Sequence, residues 1–209
     1  MKVTLIDYGA GNLRSVANAL RALGIEPNIA AAPEELDDTT HLVLPGVGSF
    51  GDCMEQLANR QLLVPIREWL AAEMPYLGIC LGYQILFDSS EESPGVVGLG
   101  IIPGIVRRFK QMPGLKIPHM GWNSVVPRLP DSGNWAGLGL DPYFYYVHSY
   151  FPVPENEEVI AARTHYGTDD FAAAVELPNL FACQFHPEKS QDAGLRLIRN
   201  FLGLREAQP

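Results

Sequence analysis

The chain has 209 residues, 47% of them hydrophobic and 19% charged, and its formal net charge is −9. This length predicts one domain over residues 1–209, with a frayed tail at about 204–209. The acidic balance and the lack of a Lys/Arg run exclude a surface for nucleic acid, and three cysteines are too few for a disulfide framework. The sparse cysteines favour a reducing compartment. Because no apolar stretch reaches the length of a membrane span, we also expect no membrane partner and a cytoplasmic location.

The first half of the chain alternates short apolar runs with helical patterns. Residues 3–6, 25–30 and 40–44 are predicted strands, and residues 13–23 have apolar side chains at helical spacing before a stop at Gly24. This order, with strands that are apolar on both faces, is typical of a parallel sheet between helices. Ligands bind such sheets at the carboxyl ends of the strands.

A glycine-rich loop, Pro45 to Gly51, follows the third predicted strand. It lacks the Gly-Lys-Ser/Thr ending of a phosphate-binding loop. Its backbone N–H groups could instead face a developing oxyanion. The alternative is a plain turn that leads into a helix over residues 52–59, which is followed by another helical stretch at 61–72.

The second half of the chain has a different pattern. Residues 88–100 are acidic and rich in Ser and Gly, which predicts a solvated loop. A closing amphipathic helix is predicted over residues 191–202. Short strand-like runs separated by Pro and Gly lie between them, at residues 104–109, 123–126, 143–147, 159–164, 171–176 and 180–185. We therefore expect an α/β fold with a mixed, mostly parallel sheet flanked by helices and an antiparallel extension in the second half.

The most informative motif is the stretch from Pro75 to Gln84, in which Cys80 lies between Gly78 and Gly82. A nucleophile on a sharp strand-to-helix turn needs small neighbours, since larger side chains would collide across the turn. The start of a helix, here predicted over residues 83–87, also stabilises a thiolate. The alternative is a buried structural cysteine beside a glycine-rich turn.

A cysteine nucleophile needs an imidazole base and a group that orients the ring. Among the five histidines, neither His41 nor His165 has a nearby acid partner that singles it out, and His119 and His148 could line a cleft. His186 follows a predicted strand and precedes Pro187 and Glu188. In an extended segment, residues 186 and 188 project to the same side, so the carboxylate could hold the ring.

Together, Gly78–Gln84 and Gln184–Glu188 resemble the motifs of the class I (triad-type) glutamine amidotransferases, a family with a single-domain, flavodoxin-like fold. Within that family, the chain is similar to the glutaminase subunits of imidazole glycerol phosphate synthase. Four more stretches carry this narrower resemblance, at residues 7–13, 45–50, 118–123 and 146–150.

The resemblance implies a role for each matching residue. Cys80 would attack the side-chain amide of L-glutamine, His186 would move the proton, and Glu188 would orient His186. The backbone N–H groups of Leu81 and of the Val47 region would form the oxyanion hole. The amino and carboxylate groups of the substrate would be bound by Gly48, Gln84, His148, Ser149 and Tyr150. No cofactor and no metal is implied.

The resemblance also implies a partner, a barrel-type cyclase subunit bound as a heterodimer. The cyclase would receive the ammonia and make imidazole glycerol phosphate and aminoimidazole carboxamide ribotide in histidine biosynthesis. Asn12, Tyr145 and Lys189 would lie at the interface, although Lys189 could instead be a solvated surface lysine.

Three alternatives stay open. The chain could be the glutaminase subunit of another synthase, such as pyridoxal phosphate synthase, although that family has Gly-Gly-Glu-Ser where this chain has Pro45-Gly46-Val47-Gly48. It could be a catalytically silent regulatory relative, although such relatives usually lack a triad member. It could also be a free-standing cysteine hydrolase.

Overall fold

The computed structural model of the protein describes residues 1–9 and 11–204. Leu204 is partly buried against the core, and the rest of the tail predicted to fray lies outside the described residues. Within the described ranges, no helix combines the length and the apolar character that crossing a membrane requires.

An eight-stranded sheet organises the molecule, with the strand order β2-β1-β3-β4-β13-β12-β11-β8. Its strands are β1 Val3–Ile6, β2 Asn28–Ala30, β3 His41–Gly46, β4 Tyr76–Cys80, β8 Val126–Pro127, β11 Ile160–Tyr166, β12 Asp169–Leu177 and β13 Leu180–Cys183. Strands β2, β1, β3, β4 and β13 pair in parallel, whereas β12, β11 and β8 continue the sheet antiparallel. The mixed sheet with its antiparallel extension is therefore confirmed.

The helices are α1 Leu13–Ala22, α2 Phe50–Asn59, α3 Leu63–Ala71, α4 Leu81–Gln84 and α5 Gln191–Phe201. Single 3-10 turns form at Pro33–Leu36, Gly133–Trp135, Glu157–Val159 and Pro187–Lys189. Gly24, at φ +81°, follows α1 as predicted, in a conformation that side chains disfavour. Two clusters of buried apolar residues flank the main sheet and form the core.

Two smaller sheets complete the fold. Strands β5 Ser89–Ser90, β6 Gly104–Arg108 and β10 Tyr150–Pro154 form one of them. The other consists of β7 His119–Ser124 and β9 Tyr143–His148, which pair antiparallel so that His119 lies opposite His148. Strand β10 has no sequence signal because two of its five residues are prolines, which cannot donate to a ladder.

The solvated loop predicted over residues 88–100 is partly wrong, because this segment packs against the start of α2. Glu92 Oε2 accepts a hydrogen bond from the Phe50 N–H at 2.8 Å, and Ser93 Oγ accepts one from the Gly51 N–H at 2.9 Å. The first N–H groups of a helix have no partners within it. With these acceptors from a distant segment, α2 starts at Phe50, two residues before the predicted start.

Candidate active site

Cys80 ends β4 in a strained backbone conformation, with φ 55° and ψ −99°. Glycine neighbours make this turn possible. A Cβ atom at Gly78 would lie 2.6 Å from the Gly82 carbonyl oxygen, and one at Gly82 would overlap the Leu44 carbonyl oxygen. The predicted collision across the turn therefore applies at Gly78, whereas Gly82 is constrained by the neighbouring strand. The helix that follows, α4 at Leu81–Gln84, is shorter and begins earlier than the predicted residues 83–87.

The glycine-rich loop lies next to Cys80 because of strand pairing. Strands β3 and β4 are parallel, with Gly46 opposite Cys80, so that residues 47 and 48 follow at the same edge of the sheet. A Cβ atom at Gly46 would lie 2.7 Å from Leu81 Cβ and would also overlap the Tyr8 hydroxyl. Gly48 has φ +110°, a conformation that favours glycine. The loop therefore lies close in space to Cys80, next to the position where an oxyanion would form.

His186 and Glu188 form a buried pair beyond the carboxyl end of β13. His186 Nδ1 lies 2.8 Å from Glu188 Oε1, and both side chains are 0% exposed. His186 is extended, but Pro187–Lys189 form a 3-10 turn, so the prediction of an extended His-Pro-Glu segment is wrong. The carboxylate nonetheless reaches the ring. His186 Nε2 is buried and has no hydrogen-bond partner among the described residues, which leaves this nitrogen to exchange a proton.

The electrostatics of this pair favour a protonated ring. Burial lowers the pKa of His186, but the nearby Cys80 sulfur and the Glu188 carboxylate outweigh burial and raise the pKa to about 10. The ring is therefore an imidazolium at neutral pH, and its Nδ1–H donates to Glu188.

A pocket of about 280 Å³ opens beside Cys80. Its walls include every residue predicted for the oxyanion hole and for substrate binding, namely Val47, Gly48, Leu81, Gln84, His148, Ser149 and Tyr150. Glu92, Pro118 and Val147 also line it, and the sequence did not single out Glu92. No local pattern could have done so, because Glu92 reaches the pocket only through the packing of its segment on α2.

Two further histidines, His119 and His148, support one wall of this pocket. His148 Nδ1 donates to the Tyr150 carbonyl oxygen at 2.8 Å, which leaves His148 Nε2 to accept from His119 Nδ1 at 3.0 Å. Asn123 Nδ2 in turn donates to His119 Nε2 at 3.2 Å. Burial lowers the pKa of His119 to about 4, and burial together with His119 lowers the pKa of His148 to about 3. Both rings are therefore neutral, and they hold the wall in place.

The three candidate interface residues have different environments. Asn12 is only 3% exposed, and its Nδ2 donates to Glu188 Oε1 at 3.2 Å, so it lies against the buried pair. Lys189 is exposed, and its Nζ lies 5.9 Å from the centre of the half-buried Tyr145 ring. The Tyr145 carbonyl oxygen accepts from the His186 N–H at 2.8 Å. Tyr145 therefore contacts Lys189 at the surface through its ring and is hydrogen-bonded to the backbone of His186 through its carbonyl oxygen.

The chain is similar to known proteins over nearly its whole length. Residues 4–203 match the family described as glutamine amidotransferase class-I. Imidazole glycerol phosphate synthase subunit HisH of Thermosynechococcus vestitus is 48% identical, over 97% of this chain and 96% of its own. Subunit HisH of Synechococcus elongatus is 45% identical, over 96% of this chain and 92% of its own.

Solved structures share the fold at low sequence identity. PurLQS from Thermotoga maritima matches with a TM-score of 0.75 at 21% identity, over 97% of both chains. A crystal structure of a glutamine amidotransferase matches with a TM-score of 0.73 at 22% identity, over 96% of this chain and 97% of the other. The chain therefore belongs to the class-I glutamine amidotransferase family and, within it, to the group of relatives named HisH.

Proposed function

We propose that the chain is the glutaminase subunit of an imidazole glycerol phosphate synthase, and that it hydrolyses L-glutamine at Cys80. The observation that carries this proposal is the buried His186–Glu188 pair, whose Nε2 makes no hydrogen bond within residues 1–9 and 11–204 and whose pKa is raised by the nearby Cys80 sulfur and by Glu188. Cys80 lies beside it on a strained turn, at the edge of a pocket of about 280 Å³. The HisH relatives supply the name of the synthase.

In the first half of the reaction, the Cys80 thiolate attacks the side-chain amide carbon of glutamine, and its charge moves to the carbonyl oxygen. The backbone N–H groups of Leu81 and Val47 stabilise that oxyanion; losing one such donor costs about 10²–10³ in rate. The carbon–nitrogen bond then breaks, and the nitrogen takes the proton from His186 Nε2 and leaves as ammonia. A γ-glutamyl thioester stays on Cys80.

In the second half, a water molecule attacks the thioester carbonyl and gives a proton to His186 Nε2. The carbon–sulfur bond breaks, glutamate leaves, and Cys80 returns to the thiolate beside the imidazolium. Glu188 keeps the ring oriented throughout because it accepts from Nδ1. Groups of the protein and one water molecule account for every step, so we propose no cofactor and no metal.

The pocket walls suit the two charged ends of glutamine. Both protons of the Gln84 amide are donated within the protein, to Gln184 Oε1 and to the Tyr150 carbonyl oxygen, each at 3.0 Å. Gln84 Oε1 is therefore the atom that Gln84 can offer to the substrate ammonium group. We propose that Gly48, His148, Ser149 and Tyr150, which line the same pocket, position the other polar atoms of the substrate.

The partner is a synthase subunit, and we propose that it is a barrel-type cyclase. It would form a heterodimer over the surface around Tyr145. Trp122 is 48% exposed and packs edge-on against the Tyr145 ring, 6.2 Å between centroids, and the exposed Lys189 lies over the same ring. Exposed Trp and Tyr side chains of this kind are enriched at interfaces. Asn12 would act there only through Glu188, because it is buried. The cytoplasmic location stays a prediction.

The test compares glutamine hydrolysis by the isolated chain with hydrolysis after adding the cyclase subunit and its nucleotide substrate. We expect slow hydrolysis alone and a strong increase with the partner. Full activity without any partner would indicate a free-standing hydrolase instead. Cys80→Ala should abolish hydrolysis and preserve partner binding, and turnover above background in this variant would refute Cys80 as the nucleophile.

A further inference from the structure

Gln184 makes a hydrogen bond to the proposed nucleophile that the triad does not require. Its Nε2 donates to Cys80 Sγ at 3.5 Å, and the two residues are 0% and 7% exposed. We propose that Gln184 is a further catalytic residue, which stabilises the thiolate of Cys80 through this hydrogen bond. The proposal rests on the proposed role of Cys80.

The orientation of the Gln184 amide is determined by its neighbours. Gln84 Nε2 donates to Gln184 Oε1 at 3.0 Å, so Oε1 is the accepting end and the NH₂ group faces the sulfur. A flipped amide would bring two NH₂ groups together and place an oxygen against the thiolate. The backbone N–H of Gln184 also donates to the Ala173 carbonyl oxygen at 2.8 Å, which anchors the residue to β12.

The hydrogen bond favours the thiolate over the thiol. A thiolate is a charged acceptor, and charge-assisted hydrogen bonds are about twice as strong as neutral ones. Burial increases this difference, because the N–H group is shielded from solvent and the local dielectric constant is low. A neutral thiol is a weak acceptor, so protonating the sulfur weakens the hydrogen bond of a buried donor.

Gln184 differs from His186 in that it cannot give its proton away. His186 loses its proton to the leaving ammonia, and the sulfur no longer faces an imidazolium until water has been deprotonated. The Gln184 N–H remains a donor during every step. It therefore stabilises Sγ when the thioester breaks and the sulfur leaves as a thiolate.

Gln84 is the positioning residue in this arrangement. Its amide spans from the Tyr150 carbonyl oxygen at the pocket wall to Gln184 Oε1, with both hydrogen bonds at 3.0 Å. A change in Gln84 would therefore affect the donor at Cys80 as well as the pocket. The test therefore changes Gln184. Because this change also removes the acceptor of one Gln84 proton, the first readout is the reactivity of Cys80 itself, which needs no glutamine in the pocket.

The test measures alkylation of Cys80 by iodoacetamide against pH in the isolated chain, with modified Cys80 quantified by peptide mass spectrometry. It needs no glutamine and no cyclase, so it can fail independently of the proposed function. Gln184→Met keeps the side-chain length and removes the donor. We expect the midpoint of alkylation to move up by about one pH unit, as expected for a hydrogen bond to a charged group.

Two control variants separate this effect from a general structural one. Gln56→Met makes the same chemical change on the exposed face of α2. Tyr83→Phe removes a different buried hydrogen bond, from Tyr83 Oη to the Ala172 carbonyl oxygen. Both controls should keep the wild-type midpoint. In the complex with the cyclase, Gln184→Met should lower kcat about tenfold, whereas neither control should change kcat.

An unchanged alkylation midpoint in folded Gln184→Met would overturn the proposal. If this variant does not fold, the side-chain amide resonance of Gln184 in the wild-type chain decides instead. We expect that resonance to shift with pH at the alkylation midpoint and to lose this shift in Cys80→Ala. A resonance that is equally pH-dependent in Cys80→Ala, or pH-independent in both proteins, would contradict a hydrogen bond to the thiolate.

Discussion

Two clusters of buried side chains contain histidines, the His186–Glu188 pair near Cys80 and the His119–His148 pair at the pocket wall, and their electrostatics are opposite. Both are buried, yet the pKa of His186 is raised to about 10, whereas the pKa values of His119 and His148 are lowered to about 4 and 3. The partners account for the difference: His186 has a carboxylate and a sulfur, and the other two rings have each other, a carbonyl oxygen and an amide. Burial alone therefore does not determine the protonation state, and the partner decides which histidine can carry a catalytic proton.

Removing His186 should have the largest effect. In the complex with the cyclase, His186→Ala should lower kcat by about 10²–10⁴, the range for a general acid–base group. His119→Ala should leave Cys80 chemistry intact, so its loss of kcat should be far smaller. Steady-state glutaminase kinetics measure both, and equal losses in the two variants would contradict the division between the clusters.

Glu188→Gln should show that the carboxylate maintains the charge of His186. The protonated ring persists below its raised pKa and is lost as the pH rises through that value, so removing the negative charge should move this loss to lower pH. The alkaline limb of the plot of kcat against pH should therefore move to lower pH. Glu68→Gln, a surface change on α3, should leave the limb in place, and an unmoved limb in Glu188→Gln would refute this electrostatic role.

Because the fold keeps His119 and His148 neutral, we expect the protein to lose stability in acid. A histidine with an ordinary pKa of about 6.5 takes up a proton on unfolding once the pH falls below that value, whereas buried His119 and His148 stay neutral until about pH 4 and 3. Each should cost on the order of 2 kcal/mol of unfolding free energy at pH 5 relative to pH 7.5. Urea unfolding at both pH values measures this.

His119→Gln should reduce that acid sensitivity, and the exposed His165→Gln should not. If the two variants and the wild-type chain lose the same stability between the two pH values, neither buried ring is held neutral by the fold.

A last prediction concerns stability alone, at the glycines around the Cys80 turn. Gly82→Ala should reduce stability by about 1–3 kcal/mol because the added methyl group overlaps the Leu44 carbonyl oxygen. Among the described residues, the atom nearest to a Cβ at Gly11 is Val47 Cγ2 at 3.7 Å, so Gly11→Ala should be close to neutral. Chemical denaturation measures both, and a tolerant Gly82 would mean that the turn is not constrained by β3.

Much of the site could be predicted because its chemistry is local in sequence. The glycine spacing around Cys80 and the spacing of His186 and Glu188 each lie within a few residues, and strand order then brings the two motifs to one edge of the sheet. The first parallel strands were predicted for the same reason, since buried strands have continuous apolar runs.

Other features could not be predicted because they depend on distant partners. Strand β10 forms although two of its five residues are prolines, because it pairs with β6. Glu92 lines the pocket because its segment packs on α2, and Asn12 is buried because its amide meets Glu188. The contact of Gln184 with Cys80 joins residues 104 positions apart.

The most direct test of the central claim is to identify the covalent intermediate. The complex with the cyclase is mixed with L-glutamine, stopped in acid within one turnover and analysed by peptide mass spectrometry. We predict a γ-glutamyl group on Cys80, and no such adduct in Cys80→Ala. Steady turnover with no adduct on Cys80, or with an adduct on Cys53 or Cys183 instead, would contradict the account.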